Sequence, residues 1–176
     1  MAGIDESLDF IPVRIAVLTV SDTRTLETDT SGGLLAERIA EAGHELADRK
    51  LVIDDVEIIK ETVRSWIADP TVDVVICNGG TGVTGRDVTP EAFKTLYDKE
   101  IDGFSVVFHQ VSFESVGVST LQSRATAGVA GGTFLFALPG SNGAVKDGWD
   151  KIIRWELDAR QKPCNLVTLM PRLLEK

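Results

Sequence analysis

The residues best suited to chemistry in this chain lie in one stretch: Asn78-Gly79-Gly80-Thr81-Gly82-Val83-Thr84-Gly85-Arg86-Asp87-Val88-Thr89-Pro90-Glu91. Four glycines fall within seven residues, directly after the apolar run Val72 to Cys77. Glycine lets backbone amides turn inward and approach an anion with no Cβ in the way. Such loops, at the carboxyl end of a parallel strand, hold phosphate-bearing ligands. Asp87 adds a carboxylate beside that cradle, where Mg²⁺ would bridge it to phosphate oxygens. Leu138-Pro139-Gly140-Ser141 offers a second helix N-terminus whose N–H groups suit an anion, and Ser141 serves equally as an N-cap. Ser123-Arg124 is the leading side-chain anion contact, with a plain surface Arg as the alternative. Asp22, after Thr19-Val20-Ser21, and Asp54, at the end of a second strand, complete the polar set.

Each of these acids also has a structural reading. Asp54 fits an N-cap, with Glu57 three residues on completing a capping box. Asp55 and Glu57 then read as first-turn acids that favour the helix dipole. Asp87 suits a turn whose amides it accepts from, and Asp29-Thr30-Ser31-Gly32 reads as capping. Two familiar phosphate motifs fail. Gly80 to Gly85 matches G-x-G-x-x-G, but the helix signal comes only at Thr89 as N-cap with Pro90 and Glu91 behind it. Asp98 and Glu100, at the distance of the ribose-binding acid, follow a helical segment rather than a strand. In the Walker A register, Arg86 and Asp87 stand where Lys and Ser/Thr are required.

These loops need a frame, and the periodicity supplies one. Arg14 to Val20 is a β-rich run. A helix runs to Ala42, with Gly43 just beyond it. Glu45 to Val52 is a less apolar strand, expected near a sheet edge. A helix over Asp55 to Ala68 shows Ile59, Val63, Trp66 and Ile67 on one face. Strand Val72 to Cys77, helix Pro90 to Tyr97 and helix Phe104 to about Glu114 follow. Gly117 to Gly132 is ambiguous and partly helical. Strand Thr133 to Leu138 leads to a long helix over about Asn142 to Arg160. Alternating strands and helices imply an α/β fold: one three-layer domain over residues 1–176, its mostly parallel sheet covered by helices on both faces, with 1–10 and 166–176 as peripheral tails. Ligands bind outside the carboxyl ends of such strands. The loops after Val20, Val52, Cys77 and Leu138 should therefore share one rim.

Composition narrows the function. The chain has 176 residues, a formal net charge of −9 and 43% hydrophobic residues. That charge argues against nucleic acid or an anionic membrane as partner, since both reward clustered Lys and Arg. Cys77 and Cys164 are too few for a disulfide framework. The polar, acidic start from Met1 to Phe10 has no apolar core of a signal peptide, and no run approaches the length of a membrane span. A soluble cytoplasmic protein is the expectation. His44 reads as a helix-to-strand turn residue and His109 as a helix-surface residue. No nucleophile arrangement appears, which suits phosphoryl or nucleotidyl transfer, where positioning and charge stabilisation dominate.

Gly79-Gly80-Thr81-Gly82 followed by Asp87-Val88-Thr89-Pro90-Glu91-Ala92 resembles the signature of the MoaB/MogA family of molybdenum cofactor biosynthesis proteins. Thr19-Val20-Ser21-Asp22, Asp29-Thr30-Ser31-Gly32, Ser119 through Ala125 and Leu138-Pro139-Gly140-Ser141 agree with it. Leu157-Asp158-Ala159-Arg160-Gln161-Lys162-Pro163-Cys164-Asn165 resembles the MoaB branch in particular. The resemblance spans about Phe10 to Asn165. It implies a single α/β domain assembled as a homotrimer or homohexamer. It also implies molybdopterin adenylyltransferase activity, in which ATP and molybdopterin give adenylyl-molybdopterin and pyrophosphate with Mg²⁺. The family's two functional acids correspond to Asp54 and Asp87, taken as both catalytic and metal-holding. Gly79 to Gly82 and Ser141, with Pro139 and Gly140, are expected to hold phosphates, Ser123 and Arg124 the pterin phosphate, and Asp22 the pterin nitrogens. Two other classes stand beside the enzyme: a molybdopterin binder or carrier without adenylylation, and an oligomer that organises other enzymes of the pathway.

Overall fold

Alternation of strand and helix periods sets the order of elements in the computed structural model, which describes residues 3–175. These are β1 (Gly3–Ile4), β2 (Arg14–Val20), α1 (Thr30–Glu41), β3 (Glu45–Val52), α2 (Val56–Ile67), β4 (Val74–Asn78), α3 (Thr89–Lys94), β5 (Lys99–Glu100), α4 (Asp102–Val116), β6 (Thr126–Ala130), β7 (Thr133–Leu138), α5 (Asn142–Gly148), α6 (Arg154–Glu156) and β8 (Gln161–Lys162). The described residues form a six-stranded sheet in the order β3-β2-β4-β7-β6-β5 and a small β1-β8 ribbon. Strands β3, β2, β4 and β7 run parallel, while β6 is antiparallel to β7 and β5 antiparallel to β6. The sheet is thus mostly parallel, as its apolar strands imply.

Residue parity divides the core. Ile15, Val17, Val74, Ile76, Phe134 and Phe136 face one side, where Leu35 and Ile39 of α1, Phe104 and Phe108 of α4 and Val145 of α5 cover them. Ala16, Leu18, Val75, Cys77, Leu135 and Ala137 face the other, against Ile59, Val63 and Trp66 of α2 and Phe93 of α3. Successive side chains of a strand point to opposite faces, and a parallel sheet buries both. Three layers result. No helix among the described residues is long and apolar enough to cross a membrane.

The differences from the sequence reading have local causes. The ambiguous stretch resolves into a 3₁₀ turn, Gly117–Gln122, and strand β6. Gly131 and Gly132, both at positive φ (57° and 90°), close the β6-β7 hairpin as primed turns require. The long C-terminal helix is broken by a π-helical stretch, Trp149–Ile153, between α5 and α6. Residues 166–175 pack rather than trail: Val167 is buried, with Leu166, Met170 and Leu173 against the same cluster. His44 is buried and accepts from the Val13 amide through Nδ1 at 3.2 Å. His109, half-buried rather than on the surface, has its ring nitrogens 2.6 Å from the Ser105 carbonyl oxygen and 3.0 Å from that of Ser123.

One topological point positions the site. From β2 the chain crosses to β3 on one side, then returns to β4 on the other side of β2. The loops leaving β2 and β4 therefore diverge, and a crevice opens at their carboxyl ends.

Candidate functional site

Asn78 ends β4, and the next residue must turn under the neighbouring strand. Gly79 takes φ +101°, with its α-carbon packed against the Val20 carbonyl at the end of β2. Gly80 takes φ +63°, and a Cβ there would lie 2.7 Å from Asp54 Oδ1. Only glycine meets both demands cheaply. Thr89 locks the turn: its amide donates to the Gly80 carbonyl at 2.9 Å and its buried hydroxyl to the Gly79 carbonyl at 2.8 Å. Thr89 is therefore the first residue of α3, not its N-cap. Val88 occupies that position without a side-chain cap. Gly140, after β7, comes so close to Gly79 that a Cβ would lie 2.9 Å from the Gly79 α-carbon. Three strand ends thus meet with backbone against backbone.

A cavity of about 560 Å³ opens over this junction. Its wall includes Asp22, Asp54, Gly79, Gly80, Thr81, Gly82, Asp87, Ser123, Pro139 and Gly140, which brings together ten residues singled out from the sequence. Arg124 and Ser141 are not among the lining residues. Arg124 Nε donates to the Gly82 carbonyl at 2.6 Å, Nη2 donates to the Asp87 carbonyl at 2.7 Å, and Nη1 pairs with Glu91. It braces the glycine loop from behind and faces an adjoining cavity of about 400 Å³. Ser141 caps α5, its hydroxyl accepting from the Ala144 amide at 3.1 Å.

The capping at α2 differs from the sequence reading. Asp55 is the N-cap and accepts from the Glu57 and Ile58 amides at 2.9 and 3.0 Å. Asp54 is left for the cavity. Burial, then the like charges of Asp22 and Asp87, push its carboxyl above the ordinary Asp value. Asp87 moves the other way. Burial opposes its charge, but the Thr84 hydroxyl (2.6 Å), the Thr84 amide (2.9 Å) and the Gly82 amide outweigh it and hold Asp87 below the ordinary value. Asp22 is also held low, first by its bond from Arg86 and then by the Asp54 amide. Two cavity acids with pKa values pushed apart make this cavity a candidate functional site.

Arg24 was not singled out in the sequence, and Arg86 was weighed only as a misfit in the Walker A register, although both lie on loops expected at the rim. Both line the cavity. Arg24 donates to Ser31 Oγ at 2.6 Å and the Gly140 carbonyl at 3.0 Å, joining the first rim loop to the last. Below it a buried network fixes the strand ends. Asn78 donates to Thr19 Oγ1 (3.0 Å), Thr19 to Asp29 (2.7 Å) and Ser31 to Asn78 (2.8 Å), while Arg49 pairs with Asp29 at 2.9 Å.

Among the described residues no group of three or more His, Cys, Asp or Glu is arranged to hold a metal ion. Mg²⁺ is commonly held by one or two carboxylates together with substrate phosphates. Asp54 and Asp87, on one cavity wall with their like charges acting on each other, fit that mode.

Residues 16–159 match the family described as a probable molybdopterin binding domain. The chain belongs to the MoaB/MogA family. Molybdenum cofactor biosynthesis protein B of Escherichia coli (strain K12) is 50% identical over 159 residues, 90% of this chain and 94% of the relative. A crystal structure of molybdenum cofactor biosynthesis protein B superposes with a TM-score of 0.85 at 42% identity, covering 94% and 98% of the two chains. The tungsten cofactor synthesizing protein MoaB from Pyrococcus furiosus gives 0.72 at 38%, covering 80% and 90%. These relatives place the chain in the MoaB branch of that family of molybdenum cofactor biosynthesis proteins. The matched region runs past both ends of the cavity wall, from Val20 to Gly140, so the MoaB/MogA domain contains the whole site.

Proposed function

We propose that this protein is a molybdopterin adenylyltransferase, transferring AMP from ATP to the terminal phosphate of molybdopterin. One observation carries the reading: a glycine turn, Gly79 to Gly82, lies directly beside Asp54 and Asp87 on the wall of one cavity at the carboxyl ends of three strands. The Gly79 amide is spent on the Leu138 carbonyl and the Gly82 amide on Asp87, so the Gly80 and Thr81 amides are the ones that would meet phosphate oxygens, with fixed dipoles that stabilise charge without reorganising. The pterin phosphate attacks the α-phosphorus of ATP, and pyrophosphate leaves. No protein nucleophile is needed, because positioning supplies most of the rate. Asp54 and Asp87 would hold Mg²⁺, which when bound neutralises charge on the departing pyrophosphate. Ser123 lines the cavity and would anchor the pterin phosphate. Asp22 offers carboxylate oxygens to pterin N–H groups.

The protein works in the cytoplasm, on the small molecules ATP and molybdopterin, as a homotrimer or homohexamer. Val106, Phe113 and Val116 of α4, with Val118 and Leu121 just beyond, are 52–82% exposed, which supports a self-association face. Clustered exposed apolar side chains are a common mark of interfaces. The test is turnover with purified protein, molybdopterin, ATP and Mg²⁺, with adenylyl-molybdopterin followed by chromatography. Product that disappears in Asp87→Ala establishes the enzyme and its acidic site. Molybdopterin binding without product would instead show a carrier, and capture of pathway enzymes with no small-molecule affinity an organising scaffold.

A further inference from the structure

Three guanidinium groups sit at or beside the cavity, and they are committed to different degrees. Arg24 donates to Ser31 and to the Gly140 carbonyl, inside the frame. Arg124 spends its donors on the Gly82 and Asp87 carbonyls and on Glu91. Arg86 differs. Its Nε and Nη2 donate to Asp22 Oδ2 and Oδ1, each at 2.9 Å. Both side chains are exposed, 64% for Arg86 and 37% for Asp22, and both line the cavity. The pair spans the mouth from the loop after β2 to the glycine loop. Asp22 Oδ1 also accepts the Asp54 amide at 3.1 Å.

An exposed ion pair contributes little, so it exchanges partners readily. A guanidinium fork matches two phosphate oxygens as well as it matches a carboxylate, and in a partly enclosed site a charged phosphate is the stronger acceptor. We propose that Arg86 is a mobile phosphate-gripping arm whose alternative partner is Asp22. When a polyphosphate enters the cavity, Arg86 leaves Asp22 for phosphate oxygens. Asp22 is then released to accept N–H donors from the second ligand. The swap couples the two ligands: phosphate capture by Arg86 uncovers the carboxylate that receives a nitrogen-bearing ring. This rests on the reading of the cavity as a polyphosphate site, and it adds a residue and an order of events.

Isothermal titration of ATP with Mg²⁺ tests it, using the full chain, Arg86→Ala, Asp22→Asn and the double variant, each first checked for an unchanged melting temperature. The arm predicts opposite signs: Arg86→Ala weakens ATP binding about tenfold or more, while Asp22→Asn, which removes the competing partner, strengthens it several-fold. Loss of a negative charge alone would also strengthen binding, so the double variant decides. The gain from Asp22→Asn must shrink toward unity once Arg86 is gone. If both single variants weaken binding equally, the pair is only a tie between loops, and the arm is overturned. If ATP binds all four proteins alike, the arm fails while the polyphosphate reading stands. If the unaltered chain binds no ATP, the polyphosphate reading fails and the arm with it.

Discussion

Gly80→Ala, set against Gly85→Ala in the same loop, tests whether the glycine turn is built as described. Gly80 holds φ +63°, and placing Ala there costs about 1–2 kcal/mol of backbone strain. The new Cβ would lie 2.7 Å from Asp54 Oδ1, on a side chain that can rotate away, and would also collide with the Thr89 hydroxyl. Thr89 is fully buried and cannot swing clear, so its 2.8 Å bond to the Gly79 carbonyl is lost, a further ~1 kcal/mol or more. A stiffer unfolded chain returns about 0.4–1 kcal/mol. The net loss is about 2 kcal/mol, or roughly 4–8 °C in melting temperature for a chain of this size. Gly85 has open space within 4 Å and no left-handed backbone, so Ala there should leave stability unchanged or raise it by up to about 1 kcal/mol. Calorimetric melting of the two variants beside the parent is the assay. A Gly80→Ala melting temperature within about 1 °C of the parent, or an equal drop for Gly85→Ala, refutes the account. Turnover should fall in Gly80→Ala beyond what its lost stability explains, because Asp54 is displaced.

Other perturbations separate stability from function. Asp54 has a raised folded pKa, so its ionised form opposes folding and the native state loses stability as pH rises from the ordinary Asp value through that raised one. Asp54→Asn should therefore melt higher than the parent at neutral pH while losing most turnover; a lower melting temperature would contradict the crowding of acids. Asp29 behaves oppositely. Burial opposes its charge, but the Gly32 amide, Thr19 and Arg49 hold it below the ordinary value, so its stabilisation is present above the unfolded-state value and is lost as pH falls through the folded one. Asp29→Ala removes that acid from beneath a part-exposed Arg49 and uncaps α1, costing about 3 kcal/mol in urea titration. Phe113→Asp or Leu121→Asp should reduce the sedimenting mass toward the monomer without unfolding the chain.

The buried strands and the glycine loop were legible because their signals are local. β2 and β7 match their apolar runs end to end, and Gly79 and Gly80 are required by their own backbone. The rest depends on partners distant in sequence. Thr126 to Ala130 does not look like a strand, since its residues are small, and at Gly128 the Tyr97 ring leaves no room for a Cβ. The capping-box spacing to Glu57 favours Asp54, yet Asp55 takes the extended N-cap backbone and accepts from the Glu57 and Ile58 amides. Thr89 was expected to cap because Pro90 follows it, but its hydroxyl turns back to a carbonyl ten residues away. Arg124 looked like the anion contact, and its donors instead meet groups 33 to 42 positions back in the chain. Arg24 and Arg86 carry no local pattern, and only the rim shows them together.

The outer strands have a consequence for how copies of this chain meet. Strand β3 pairs only with β2 and carries Asp48, Arg49 and Lys50 in its middle, and β5 at the far edge offers just Lys99 and Glu100. An unpaired strand edge invites another strand to add, and charges or brevity discourage it. Both borders of this sheet are poor templates, so strand addition cannot readily extend it from one molecule into the next. Any association between copies would then use surfaces other than these two edges.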